Sequence, residues 1–407
     1  TTLSHMPHRW SSKNMRIPRM FVALLFLAVL SNAQASEVEV RFYPATKIWS
    51  HPLENARQFN SVVLQNTAIV NHSDKPVTLQ TLRIDLLRGG SVVQSQFIDA
   101  ARLDAIAKAG AALGTSGMLQ LVDFQFAPKQ LFGKDKPTIS GQRTLAPGSA
   151  FYLPQQLLAF HGSPEQLRVS AEFSGDPAQA PASGTLQIHH GSVPGKYRFP
   201  LEGLWFIAAG ATPYSHHRWA VPEEFALDIL QIGANGLTFR GDGSKMSDYY
   251  AYGAAVLAVA DGEVVAVLNN VPDNVEMLRA AGESQSDFRQ RLIAGQDAML
   301  TGAREKIPGN HVILRHDNES GTVYSVYAHL QPNSSMLKVG DKVKSGARIG
   351  KLGGSGNSTE PHLHFHLCDA PDALNCAGMP VSFDNIEIPF SDWNRAIQSG
   401  DIVVTQP

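Results

Sequence analysis

Histidine recurs at every second position in Pro361-His362-Leu363-His364-Phe365-His366. Alternate side chains of an extended strand share one face, so these three imidazoles would point the same way. Imidazole is a good zinc donor, and a His-x-His pair on a strand offers two nitrogens to one small volume. Alone the run is a weak signal, because ordinary surface or core histidines produce it too. A second segment, Tyr214-Ser215-His216-His217-Arg218, is followed by Phe225-Ala226-Leu227-Asp228. A carboxylate entering a strand after a histidine-bearing loop could complete a tetrahedral donor set. A third segment, Tyr327-Ala328-His329-Leu330, ends a strand-like run. Taken by itself, His329 reads as structural.

The elements that must position these residues are mostly strands. The chain has 407 residues, 43% of them hydrophobic and 17% charged. That length suits two domains, and the apolar content argues against global disorder. A net charge of −2 gives no basis for a nucleic-acid partner. Residues 36–200 read as an immunoglobulin-like β-sandwich, an accessory domain. Val38 to Phe42 alternates apolar and polar residues, and Ser61–Val70 and Val77–Leu87 read as two strands around the polar turn 71–76. Asp99 to Ala112 reads as an inserted helix, with Leu103, Ile106 and Ala107 on one face. The stretch 175–184, rich in proline and alanine, reads as a long loop within this first domain. The boundary falls near Pro200, with a second β-dominated domain over 201–395 and a C-terminal tail over 396–407. In the second domain, Ala254–Ala260 and Glu263–Val267 flank Asp261-Gly262 and predict a hairpin. His311–His316 and Thr322–Leu330 predict another. Asp273–Glu305 has helical spacing and predicts an insertion between strands.

Residues 1–35 read as an upstream extension and a signal peptide. Met15-Arg16-Ile17-Pro18-Arg19 is basic, Phe21–Leu30 is apolar but too short to span a bilayer, and Ala33-Gln34-Ala35 offers a cleavage site. An uncleaved anchor is the alternative. No later hydrophobic span follows, so export to the periplasm or the extracellular space is expected, with no stable membrane span after cleavage. The two cysteines, Cys368 and Cys376, would form one small disulfide loop in an oxidising compartment; two free buried thiols are the alternative.

Several ordered segments together resemble the lysostaphin/LytM-type zinc endopeptidases, which cut peptide cross-bridges in bacterial cell walls. They are Tyr252–Val265, Gly309–Leu314, Tyr327–Leu330, Val339–Val343, Gly346–Gly350 and Gly356–Phe365. The resemblance runs from about His216 to Phe365. It implies an antiparallel β-sheet groove of the duplicated hybrid motif, with one zinc ion per chain on its floor. It implies His216, Asp228 and His364 as metal ligands, with His217 as the alternative to His216, and His329 and His362 as catalytic histidines. Three protein ligands would leave one position for water, as hydrolytic zinc requires. There are three departures from the family pattern. The spacing from His216 to Asp228 is long, Glu360 stands where the family commonly has glycine, and His366 stands where it commonly has glutamate. His366 could bind substrate, replace an outer hydrogen bond, or be inert. The expected activity is hydrolysis of peptide bonds in peptidoglycan cross-links or stem peptides. The competing expectations are a non-enzymatic regulator of cell-wall hydrolases and a zinc peptidase acting on a protein.

Overall fold

The computed structural model describes residues 37–54, 58–174, 181–318, 321–389, 391 and 395–406. The expected leader and residues 175–180 lie outside the described residues. Among the described residues, no helix is long and apolar enough to cross a membrane. The fold is mainly β.

Three small sheets build the N-terminal part. One runs Val38–Tyr43, Asn66–Asn71, Ser149–Leu153 and Thr138–Ile139; a second runs Gln156–His161, Phe59–Leu64 and His51–Glu54. The third includes Lys47–Trp49, Ala182–His189, Gln166–Ser174, Val77–Arg88 and Ser91–Ile98. Their inward side chains, among them Leu64, Ile69, Ile84, Phe151 and Val169, bury one common core. Burying such side chains stabilises each by about 1.5–3 kcal/mol. The expected strand Ser61–Val70 is two strands, because the chain changes sheet at Gln65. That side chain turns away from the sandwich core, donating to Arg218 O at 3.1 Å and to Glu224 Oε2 at 2.9 Å. The inserted helix is Ala100–Thr115; the Asp99 carboxylate accepts from Arg102 N at 2.9 Å, capping its first turn. Leu103 and Ala107 face the core. Three helical turns follow, Met118–Leu121, Asp123–Phe126 and Pro128–Phe132, which the sequence pattern did not announce.

The C-terminal part is dominated by a ten-stranded sheet. Its central order is Gly262–Leu268, Asn310–Asn318, Gly321–Leu330, Leu363–Cys368, Leu227–Leu230 and Leu204–Ala209. Every pair in this run is antiparallel. Ile402–Thr405 adds beside Leu204–Ala209. The hairpin expected across Asp261-Gly262 does not form. Ala255–Leu257 pairs instead with Arg348–Lys351, while Gly262–Leu268 pairs with Asn310–Asn318. Hydrogen bonds explain the diversion. Ala258 N donates to Ala347 O and Gly346 N donates to Ala258 O, which ties the first arm to the 346–351 segment. Asp261 Oδ1 accepts from Ser345 N, fixing the turn on that same side. The second expected hairpin forms, between Asn310–Asn318 and Gly321–Leu330. The insertion carries a helix, Gln285–Gly302, capped by Ser284 and burying none of its residues fully. The structure pairs Cys368 with Cys376.

His51 links the two parts. It is 3% exposed, and its ring lies 3.2 Å from Gln398 Nε2. Burial, aided by the nearby Arg218 charge, pushes His51 down to about 3. The unfolded chain protonates near pH 6.5 and the folded chain only near 3. Stability present above pH 6.5 is therefore lost as pH falls through that window, at about 1.4 kcal/mol per pH unit. Urea unfolding of the wild type and His51→Gln between pH 7 and 5 should give a shallower pH slope in the variant. Equal slopes would rule out a neutral, buried His51.

Candidate metal centre

The sheet register brings the scattered chemistry together. Leu363–Cys368 lies between Leu227–Leu230 and Gly321–Leu330, and His364 stands opposite Asp228 on one side and Ala328 on the other. Directly opposed residues have Cβ atoms about 4.5–5.5 Å apart. A carboxylate thus meets the second histidine of His-x-His, with a small alanine on the other flank. His362 enters just before the strand. His329 follows Ala328 in a left-handed conformation, φ 61°, which is rare for a residue with a Cβ. Its main chain is held on both sides, His329 N donating to Pro308 O at 2.9 Å and Gly353 N donating to His329 O at 3.0 Å. Close crossing of the loop beneath it needs Gly356, where a Cβ would collide with the main chain of Gly309.

Asp228 collects the imidazoles. Its Oδ1 lies 3.0 Å from His364 Nδ1 and 3.4 Å from His362 Nε2, and its Oδ2 lies 3.3 Å from His217 Nε2. The opposite nitrogens are committed. His217 Nδ1 donates to Ala226 O at 3.2 Å, and His362 Nδ1 donates to Glu360 O at 2.8 Å. His329 Nδ1 donates to Ser355 O at 2.8 Å. A carbonyl can only accept, so each neutral ring puts its proton there and keeps a lone pair on the other nitrogen. Lone pairs facing a partly buried carboxylate repel it. The arrangement requires a cation among them, whether protons on the rings or a metal ion.

Burial opposes ionisation of Asp228, but His217 and His362 outweigh it and hold the carboxyl well below its usual range. Burial likewise opposes charge on His217, yet Asp228 wins and pushes it up to about 9. His362 is raised for the same reason, against burial. His329 and His366 sit well below the ordinary histidine value, chiefly through burial and then through neighbouring imidazoles. The donors also suit zinc. Ligands about 2.0–2.2 Å from a tetrahedral zinc stand roughly 3.3–3.6 Å apart, close to the 3.0–3.4 Å spacings around Asp228. Two neutral imidazoles and one carboxylate are a donor set that zinc accepts.

His216 and His217 differ sharply. His216–Trp219 is a single 3-10 turn, which sends successive side chains about 120° apart. The donor atoms of His216, His217 and Asp228 all lie within 4.8 Å of one another. His217 is buried and meets Asp228, whereas His216 is exposed and packs on the His217 ring, centroids 4.2 Å apart. A cleft of about 350 Å³ opens over Asp228, His329, His362 and His364. Its walls include Gln296 and Leu300 from the insertion and Phe124 from the N-terminal part. Phe124 carries no chemical signature in the sequence; only the fold brings it here.

The loop bearing His217 is anchored by a buried ion pair. Arg218 Nη1 donates to Glu224 Oε1 at 2.6 Å, and Arg218 Nη2 donates to Ser61 O at 3.3 Å. Gln155 Nε2 donates to Trp219 O at 3.2 Å. Nothing in the local sequence marks this pair as buried, because the groups that enclose it, Ser61 and Gln65, lie more than 150 residues away.

Residues 290–376 match peptidase family M23. Over this stretch the chain is similar to the M23 peptidases. The match contains His329, His362 and His364, while Asp228 and His217 lie before it and join through the sheet register. The chain is 40% identical over 74 residues to the peptidoglycan DD-endopeptidase ShyC of Vibrio cholerae, covering 18% of this chain and 16% of that protein. It is 30% identical over 118 residues to ShyA, a peptidoglycan DD-endopeptidase of the same organism, covering 28% and 25%. The chain thus spans a quarter or less of the length of these two relatives. The lysostaphin catalytic domain of Staphylococcus simulans aligns at 19% identity over 43% of this chain and 86% of that one, with a TM-score of 0.23, too low to carry an argument.

Removing Arg218 should leave Glu224 buried and unpaired. Arg218→Ala is expected to lose about 3–5 kcal/mol in urea unfolding, and Arg218→Met with Glu224→Leu should regain much of that. A single variant within about 1 kcal/mol of wild type would mean that the pair anchors nothing.

Proposed function

We propose that this chain is an exported zinc endopeptidase that hydrolyses peptide bonds in peptidoglycan cross-links or stem peptides. The observation that carries the proposal is the partly buried Asp228 carboxylate faced by nitrogens of His217, His362 and His364. The M23 match and the two DD-endopeptidase relatives support the reaction class and the substrate. Asp228, His364 and His217 would hold the metal. His217 is preferred to His216 because its ring is buried and its Nε2 already faces Asp228. When bound, zinc supplies a Lewis acid that polarises a carbonyl and lowers the pKa of water toward neutrality.

The remaining work falls to the chain's own histidines. His362 is locked by Glu360 O with Nε2 toward the centre, so that nitrogen can hold or pass the proton of an attacking water. His329, locked by Ser355 O and kept neutral, retains a basic Nε2. Its ring centroid is 4.8 Å from that of His362, so the two share one reacting volume. One of them can take the proton from water while the other orients the carbonyl or serves the departing amine. The walls from Phe124, Gln296 and Leu300 would align an extended peptide and exclude bulk water.

The purified chain should bind one zinc ion. It should release new muropeptides from sacculi, as read by mass spectrometry. Asp228→Ala and His364→Ala should abolish both metal uptake and release. His217→Ala should cost far more metal affinity than His216→Ala. Full hydrolysis by the Asp228→Ala protein, or cleavage of a protein panel with intact sacculi, would refute the proposal.

A further inference from the structure

Each imidazole of the centre is gripped from outside. For His217, His329 and His362 the outer partner is a main-chain carbonyl, of Ala226, Ser355 and Glu360. His364 has a different partner. Its outer nitrogen, Nε2, lies 3.0 Å from Nδ1 of His366, and the two rings cross at 80°. His366 is 1% exposed, and among the described residues its own Nε2 has no hydrogen-bond partner. Nothing on its far side therefore dictates where its proton sits. The strand explains the contact: residues two apart share a face, so His366 reaches the back of His364 while Asp228 meets its front.

The direction of this hydrogen bond matters. If His366 donates, the His364 proton moves to Nδ1, which then points a hydrogen at Asp228 and has no lone pair for a metal. If His366 accepts, His364 carries its proton on Nε2 and presents the Nδ1 lone pair beside Asp228. We infer that His366 is the positioning residue of His364, accepting its Nε2–H and so fixing the tautomer and ring orientation that bind the metal. It does by side chain what carbonyls do for the other three rings. This makes it the one grip in the set that substitution can remove. The inference rests on the metal-binding reading given above.

The test uses the full mature chain prepared metal-free, as wild type, His366→Phe and His366→Gln. Zinc affinity is read by competition with a chromophoric chelator. The visible spectrum of the cobalt-loaded protein reports ligand geometry, and metal-free thermal unfolding controls for folding. Phenylalanine fills the space without an acceptor, and should weaken zinc binding by about 10–100-fold and alter the cobalt spectrum. Glutamine offers an amide oxygen, and should stay near wild type in both readouts. If His366→Phe does not fold, His366→Met replaces it with the same expectation. Wild-type affinity in the Phe or Met variant would overturn the inference alone. So would an equal loss in the Gln variant. A wild-type chain that takes up no zinc would overturn the metal reading together with it.

Discussion

A carboxylate hemmed in by imidazole nitrogens governs the architecture of this molecule. Asp228 could not be placed there by itself, since an isolated buried charge is too costly to keep. It survives because His217, His362 and His364 converge on it. That convergence depends on antiparallel register. A slip of one residue along Leu363–Cys368 would turn His364 away from Asp228 and put Leu363 or Phe365 in its place. The hydrophobic alternation that buries Leu363, Phe365 and Leu367 on the opposite face opposes such a slip. Core packing and the pairing of His364 with Asp228 therefore specify the same alignment.

The wider sheet serves the same end. Asn310–Asn318 and Gly321–Leu330 hold His329 at the mouth of the cleft, and the strained backbone at His329 is secured by hydrogen bonds from neighbouring loops. Strain kept in place by its surroundings is typical of residues whose orientation serves chemistry. Main-chain carbonyls then set the proton positions on the rings. The centre is thus pre-organised by backbone as much as by side chains.

Much of this was legible in the sequence because the signals are local. Period-two alternation revealed the strands, and the spacing of His362, His364 and His366 placed them on one face before any coordinates. A polar break located the second hairpin, and helical spacing the insertion. What escaped is what depends on partners distant in sequence. The 255–260 run looks like one arm of a hairpin, and alternation cannot say that Arg348–Lys351 is its partner. The helical turns of 118–132 are short, and their burial comes from Ala68, Val70 and Tyr152. By sequence His216 is favoured, with His217 as the alternative, because local pattern does not show which ring a single 3-10 turn faces inward.

The anchorage of the His217 loop bears on how such a chain can be divided. Arg218 and Trp219 reach main-chain and side-chain groups of Ser61, Gln65 and Gln155, and Phe124 lends a wall to the cleft. The N-terminal sheets therefore brace the loop that carries His217. A C-terminal half cut free near Pro200 would carry His217, His329, His362 and His364 yet lose the brace that aims one of them. The geometry of the His217 loop is a property of both parts of the chain together.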